Sequence, residues 1–157
     1  MKRTLVLGVG SSILTDDAVG LLVVRKLRER FADRDDLDFG ENEEAGFSLL
    51  EESLGYDRLV VVDAVITGRE PGTVHRYDLS DLGRTIHCSS PHGLNLATAL
   101  ELGRRQGMDV PEEVVVLGVE VVDVLTFGEG LSAALSAVLD DVVEKVASEI
   151  ASRGGSS

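Results

Sequence analysis

The sequence predicts a three-layer α/β/α sandwich around a mostly parallel sheet of about five strands, and three observations carry that prediction. Short β-branched apolar runs alternate with longer segments whose apolar residues recur at helical spacing, the pattern of repeated β-α units. Hydrophobic residues make up 43% of the chain, aromatics 4%, and tryptophan is absent. Such an aliphatic core of Val, Leu, Ile and Ala suits strands covered on both faces by helices. A length of 157 residues fits one domain with one continuous core.

The elements follow in order. "TLVLGVG" (4–10) reads as a buried strand ending in glycines, and "AVGLLVVRKLRERF" (18–31) as a helix with Lys and Arg near its end, where they complement the helix dipole. "DLDFGENEEAG" (36–46) carries a weak alternating strand, "FSLLEESLG" (47–55) a short helix stopped by Gly55, and "DRLVVVDAVI" (57–66) a second apolar, β-branched strand. In "REPGTVHRYDL" (69–79) a Pro-Gly turn feeds a half-exposed edge strand, expected to be antiparallel. "SPHGLNLATALELGRRQG" (90–107) places Pro91 near a helix start and Gly107 at its stop. "EVVVLGVEVV" (113–122) is the last strand and "LSAALSAVLDDVVEKVASEIA" (131–151) the last helix, taken as one element. Neither a repeat nor a linker interrupts this alternation, so residues 1–152 form a single domain and 153–157 a fraying tail.

Charge and cysteine content exclude several classes of function. A formal net charge of −13 argues against binding nucleic acid or anionic membrane surfaces, which need clustered Lys and Arg. The apolar run after Met1-Lys2-Arg3 is too short for a signal-peptide core or a membrane span, so a cytoplasmic protein is expected. Cys88 is the only cysteine and forms no internal disulfide.

The glycines of "LVLGVGSSI" resemble the start of a dinucleotide fingerprint, but the third glycine position is Ile13 and a polar turn fills residues 14–17. That turn ends in Asp16 and Asp17, where a strand hands over to a helix. One of them serves as a cap or turn residue, for which about 1 kcal/mol is the ordinary contribution. Asp63 emerges at the carboxyl end of the next apolar strand, where ligands of open α/β sheets bind. "SSPHG" places His92 at another strand-to-helix junction. Alone, each has a plain structural reading: a charge at a helix N-terminus, a cap on a loop N–H, a surface histidine. Together, Asp17, Asp63 and His92 occupy carboxyl edges that lie side by side in a parallel sheet, so their side chains are expected to converge. Two carboxylates and an imidazole suit a divalent first-row metal with open positions, and equally an acid and a base whose pKa values are pushed apart. As side chains of a solvated cleft, the three are expected to add little to stability. His75, in the edge strand, and His87, in a loop, are the weaker histidine candidates and are not chosen.

Four blocks carry a family resemblance: "LVLGVGSSILTDDAVG", "VVVDAVITGREPGTV", "SSPHGLNLATAL" and "VVVLGVEVVDVLTFGEGLS". In this order and approximate spacing the chain resembles the [NiFe]-hydrogenase maturation endopeptidases over nearly its whole length. The resemblance implies a twisted five-stranded sheet in an α/β/α fold. It also implies an endopeptidase that removes a C-terminal extension from a hydrogenase large-subunit precursor after nickel insertion. In that family a Glu or Asp of the first block, an Asp after the second strand and a His of the third bind metal, and they map onto Asp17, Asp63 and His92. Where the family usually has Asn after "GxG", this chain has Ser11 and Ser12. The "FGEGLS" glycines (127–132) are read as shaping a loop beside the cleft, with Glu129 as a substrate contact.

The expectation is therefore that nickel comes with the substrate's cysteines, that no cofactor is permanently bound, and that the chain works as a monomer. One His beside two carboxylates, with no H-E-x-x-H spacing, holds metal only modestly, so cleavage becomes conditional on prior nickel insertion. The metal could polarise a peptide carbonyl or water, or a carboxylate could activate the water; both remain open at this point. The alternatives are a non-catalytic nickel-binding or metal-checking module of the same pathway, and a related endopeptidase acting on another precursor.

Overall fold

The structure, a computed structural model, describes residues 2–83, 85–88 and 95–154, the side chains of 152–154 excepted. Five strands, β1 (Thr4–Val9), β2 (Leu37–Asn42), β3 (Arg58–Val65), β4 (Val74–Tyr77) and β5 (Glu113–Glu120), form one sheet in the order β2-β1-β3-β5-β4. The first four in that order run parallel, and β4 pairs antiparallel on the edge, as the Pro-Gly turn and the polar alternation of the sequence predict. Helices α1 (Val19–Arg30), α2 (Phe47–Ser53), α3 (Leu96–Arg105), α4 (Ala133–Ser136) and α5 (Leu139–Gly154) supply the outer layers.

Alternation along the central strands divides the core in two. Val6, Val60, Val62, Leu117 and Val119 face α1 and α5 on one side of the sheet. Leu5, Leu7, Leu59, Val61 and Val116 face Leu49 and Leu50 of α2 and Leu96 and Leu100 of α3 on the other. Successive side chains of a strand point to opposite faces, so an unbroken apolar run is what a sheet covered on both sides requires. Among the described residues no helix is long and apolar enough to cross a membrane.

Two helices depart from the sequence reading. Helix α3 starts at Leu96, later than Pro91 suggests, because Asn95 caps it by accepting the Thr98 N–H at 2.8 Å. The last helix is split. The Val138 N–H returns to the Leu135 carbonyl at 3.1 Å, and Val138 packs toward Gly72, where a Cβ would stand 2.6 Å from its Cγ2. At the C-terminus α5 runs to Gly154, so the helix extends into the expected tail; residues 155–157 lie outside the described residues.

Register sets the functional edge. Gly8 pairs with Val62, and Asp63 with Gly118, so the end of β1, Asp63 and the end of β5 lie side by side. Close approach there requires glycine: a Cβ on Gly20 would lie 2.3 Å from the Val62 carbonyl oxygen, and one on Gly10 2.0 Å from the Asp17 carbonyl oxygen. Glycine at these positions lets α1 sit on β3 and lets the turn carrying the aspartates fold back over the strand end.

Candidate functional site

Residues Thr15–Ala18 form a single 3-10 turn between β1 and α1, and it points its two aspartates in different directions. Asp16, expected to serve the local turn, caps no helix. Its fully buried carboxylate accepts the N–H groups of Val122 at 3.1 Å, Asp123 at 3.0 Å and Ser132 at 2.7 Å, and the Ser132 hydroxyl at 2.8 Å. It therefore staples the loop that follows β5, residues 121–132, onto the β1–α1 junction. Backbone bonds finish the seam: Asp16 N–H to Asp123 O at 2.8 Å, Gly128 N–H to Ile13 O at 2.8 Å and Thr15 N–H to Gly128 O at 3.2 Å. Thr15 sits at φ 43, a left-handed conformation costly for a β-branched residue, and its hydroxyl donates to Thr126 O at 2.6 Å. The seam thus holds strained backbone immediately before Asp17.

Asp17 turns the other way. Its carboxylate meets the His87 imidazole, with Nε2 2.8 Å from Oδ1 and 2.9 Å from Oδ2. Asp63 closes on the same residue from behind: Oδ2 accepts the N–H groups of His87 at 2.8 Å and Cys88 at 3.1 Å, and Oδ1 accepts the Ala64 N–H at 2.8 Å. Two carboxylates, one from the β1–α1 turn and one from β3, therefore converge on one short segment. His92, the third residue of the expected set, lies outside the described residues, a few positions further along the same segment. Asp63 has no exposed surface, so it does not stand in the solvated cleft expected for it; it holds the 87–88 backbone in place.

Sequence reading passed over His87, because the residues that place it, Asp63 and Asp17, lie 24 and 70 positions away. Ile86 N–H bonds to Ala64 O at 3.2 Å, which lays residues 85–88 along the end of β3. Cys88 is buried in the core cluster that includes β3 and α3 residues. With the Cys88 side chain in the core, the half-buried His87 imidazole meets Asp17. The same burial pushes the Cys88 thiol well above its ordinary pKa, which leaves it protonated and without nucleophilic character. His75, the other histidine not chosen, bonds Glu120 at 3.0 Å across the edge of the sheet.

Electrostatics at the site favour shared protons. Burial raises the Asp63 carboxyl to about 6, against the lowering effects of the His87 charge and the three peptide N–H groups. Burial alone would lower His87, but its bond to Asp17 and the charges of Asp63 and Asp17 outweigh it and leave the imidazole raised. Asp63 is thereby brought toward the range useful for general acid-base chemistry, and His87 is held toward its protonated form. Among the described residues no group of three or more His, Cys, Asp or Glu side chains is arranged to hold a metal ion.

Beside this centre the stapled loops carry exposed apolar side chains. Ile13 is 53% exposed, Phe127 78% and Leu125 85%, and the Leu14–Gly128 bridge sets Ile13 next to Phe127. Large apolar groups held out on hydrogen-bonded loops are typical of a surface that meets a partner. Ser11, where the resemblance expects Asn, accepts the Ile13 N–H through its hydroxyl, and Ser12 N–H donates to Glu43. Glu129 lines a separate cleft of about 270 Å³ with Ser12, Arg25 and Gly130; Asp17, Asp63 and His87 are not part of its lining.

Comparison with known proteins shows the family and the fold. Residues 21–149 match the hydrogenase maturation protease family. The hydrogenase 2 maturation protease of Escherichia coli K12 is 33% identical over 119 residues, covering 74% of this chain and 72% of that protein. The E. coli hydrogenase maturating endopeptidase HybD superposes with a TM-score of 0.74 at 29% identity, over 97% of this chain and 94% of its own. The [NiFe] hydrogenase maturation protease HycI of Thermococcus kodakarensis superposes with a TM-score of 0.68 at 25% identity, over 94% and 91% of the two chains.

Proposed function

The chain belongs to the hydrogenase maturation protease family, an endopeptidase of hydrogenase maturation, and on that premise we propose that it removes the C-terminal extension of a [NiFe]-hydrogenase large-subunit precursor after nickel insertion. The observation that carries this reading is the convergence of Asp17 and Asp63 on the segment that leads to His92, at the carboxyl edge of the sheet. In this reading Asp17, Asp63 and His92 face nickel held by the substrate's thiolates. Asp17 presents its carboxylate at the β1–α1 turn. Asp63, fully buried, accepts three peptide N–H groups and holds in place the segment that leads to His92.

Recognition then joins two weak contributions. Few protein ligands alone hold nickel poorly, so the substrate's own sulfur ligands complete the set and the docked precursor is the one already loaded. Ile13, Leu125 and Phe127 offer the apolar surface against which the precursor's chain rests beside the metal. Water is activated at the site by the metal, by a carboxylate near its own pKa, or by both acting together.

The experiment is incubation of purified protein with nickel-loaded and nickel-free precursor, read by mass spectrometry. Cleavage of the loaded form only, without added metal, is the expected result. Equal cleavage of both forms would refute the nickel-dependent step. Binding of the loaded precursor with the extension left intact would instead support a metal-checking module.

A further inference from the structure

Resting on that reading, we propose that His87 is the positioning residue of Asp17, the group that fixes the plane and direction of its carboxylate during cleavage.

The case is built from three observations. Among the described residues, the only side chain hydrogen-bonded to the Asp17 carboxylate is His87, and it meets both oxygens, at 2.8 and 2.9 Å. The Asp17 side chain is 3% exposed and the imidazole 23%, so His87 stands between a nearly buried carboxylate and solvent. Finally, the backbone of His87 is not free to drift, because Asp63 holds its N–H and that of Cys88, and the Cys88 side chain is anchored in the core.

A carboxylate on a short side chain rotates about its last bond unless something takes both oxygens. At Asp17 the rest of the turn does not supply that restraint. The neighbouring Asp16 spends all its bonds on the loop after β5, and the Asp17 backbone N–H and carbonyl bond Leu14 O and Ser11 N–H respectively. His87 therefore carries the restraint, and through its own backbone it links the position of Asp17 to that of Asp63. Placement to within a fraction of an ångström governs the reaction step far more than substrate association. Loss of the imidazole accordingly acts on kcat, whereas a residue that merely held the loop would change stability, and one that screened the site would slow binding.

Two arms test this. In the first, His87→Ala and His87→Gln are assayed on nickel-loaded precursor. His87→Ala lowers kcat by about 10- to 100-fold with KM within about twofold, the size usual for a lost positioning contact. His87→Gln keeps an N–H at the Nε2 position and recovers most of the rate. In the second arm, imidazole 15N–1H spectra of the unliganded protein are compared with and without Asp17→Asn. Only the His87 signals move. Full activity or increased activity of His87→Ala overturns the proposal, as does a silent His87 signal in the spectra. Wild-type protein that cuts no precursor refutes the protease reading instead, and the spectra still decide whether the contact exists.

Discussion

Replacing Asp16 by alanine separates a local turn residue from a long-range staple. The carboxylate is fully buried and accepts four hydrogen bonds from the loop after β5, two from Ser132 and one each from Val122 and Asp123. Truncation leaves those donors without an acceptor. At about 1 kcal/mol for each donor that water can reach again, the loss is about 4 kcal/mol, against about 1 kcal/mol for an ordinary cap. For a chain of this size the unfolding midpoint moves about 2–4 °C per kcal/mol, so it falls by about 8–16 °C. Calorimetry measures the shift, and amide exchange locates it: protection is lost first at Val122, Asp123 and Ser132 and only later in the central strands. A midpoint that falls by less than about 3 °C, or exchange that rises evenly through the sheet, would refute the staple. Activity should fall as well, because the loop carrying Leu125 and Phe127 would no longer be held beside Asp17.

Other expected outcomes follow from the same geometry. Asp17→Asn stops precursor cleavage while stability changes by less than about 1 kcal/mol, since an amide still meets His87; a large drop in the urea midpoint would contradict that separation. Asp63→Ala loses activity and also about 3 kcal/mol of stability, as three peptide N–H groups lose their acceptor; a fully stable but inactive variant would show that those bonds matter little. In the wild-type protein the Asp63 carboxyl titrates near pH 6, read by its 13C shift, because burial raises it. Its folded pKa lies above the unfolded value, so protonation stabilises the fold. The Asp63 contribution grows as pH falls from about 6 to about 4 and is lost as pH rises through 6; a midpoint below 4 would overturn this. Leu125→Ser with Phe127→Ser raises KM for the precursor about tenfold and leaves the unfolding midpoint within about 2 °C, as these side chains are 85% and 78% exposed; an unchanged KM removes them from the docking surface.

What was legible in the sequence was whatever local pattern controls. β3 needs eight consecutive buried residues, and a run such as "RLVVVDAV" announces it. The antiparallel edge followed from a Pro-Gly turn and a four-residue strand with half-exposed positions. The family blocks pointed to Asp17, Asp63 and the segment around His92. What stayed hidden depends on partners far away in sequence. Asp16 bonds residues 106 to 116 positions along the chain, and no local rule distinguishes such an aspartate from a cap. His87 is likewise placed by Asp63 and Asp17, 24 and 70 positions away. The split before α5 likewise follows from tertiary fit: Val138 packs on Gly72, and helical periodicity runs through the break without registering it.

The aspartate pair at the β1–α1 turn shows why two acids are needed side by side. In the function proposed above, a site that takes a substrate-borne metal has few ligands of its own, so each must be held firmly before the substrate arrives, and the surface that guides the substrate must be held with it. A single carboxylate cannot do both, because one whose oxygens accept four donors has none left for a ligand. In a 3-10 turn consecutive side chains diverge by a third of a turn, so adjacent residues reach different neighbours. Asp16 takes the loop that carries the apolar rim, and Asp17, held by His87, takes the cleft side. Glycine at position 10 lets that turn close over the strand end, and the left-handed Thr15 aims it. The seam of hydrogen bonds to residues 123–128 offsets the strain and ties the apolar rim to the turn that carries Asp17.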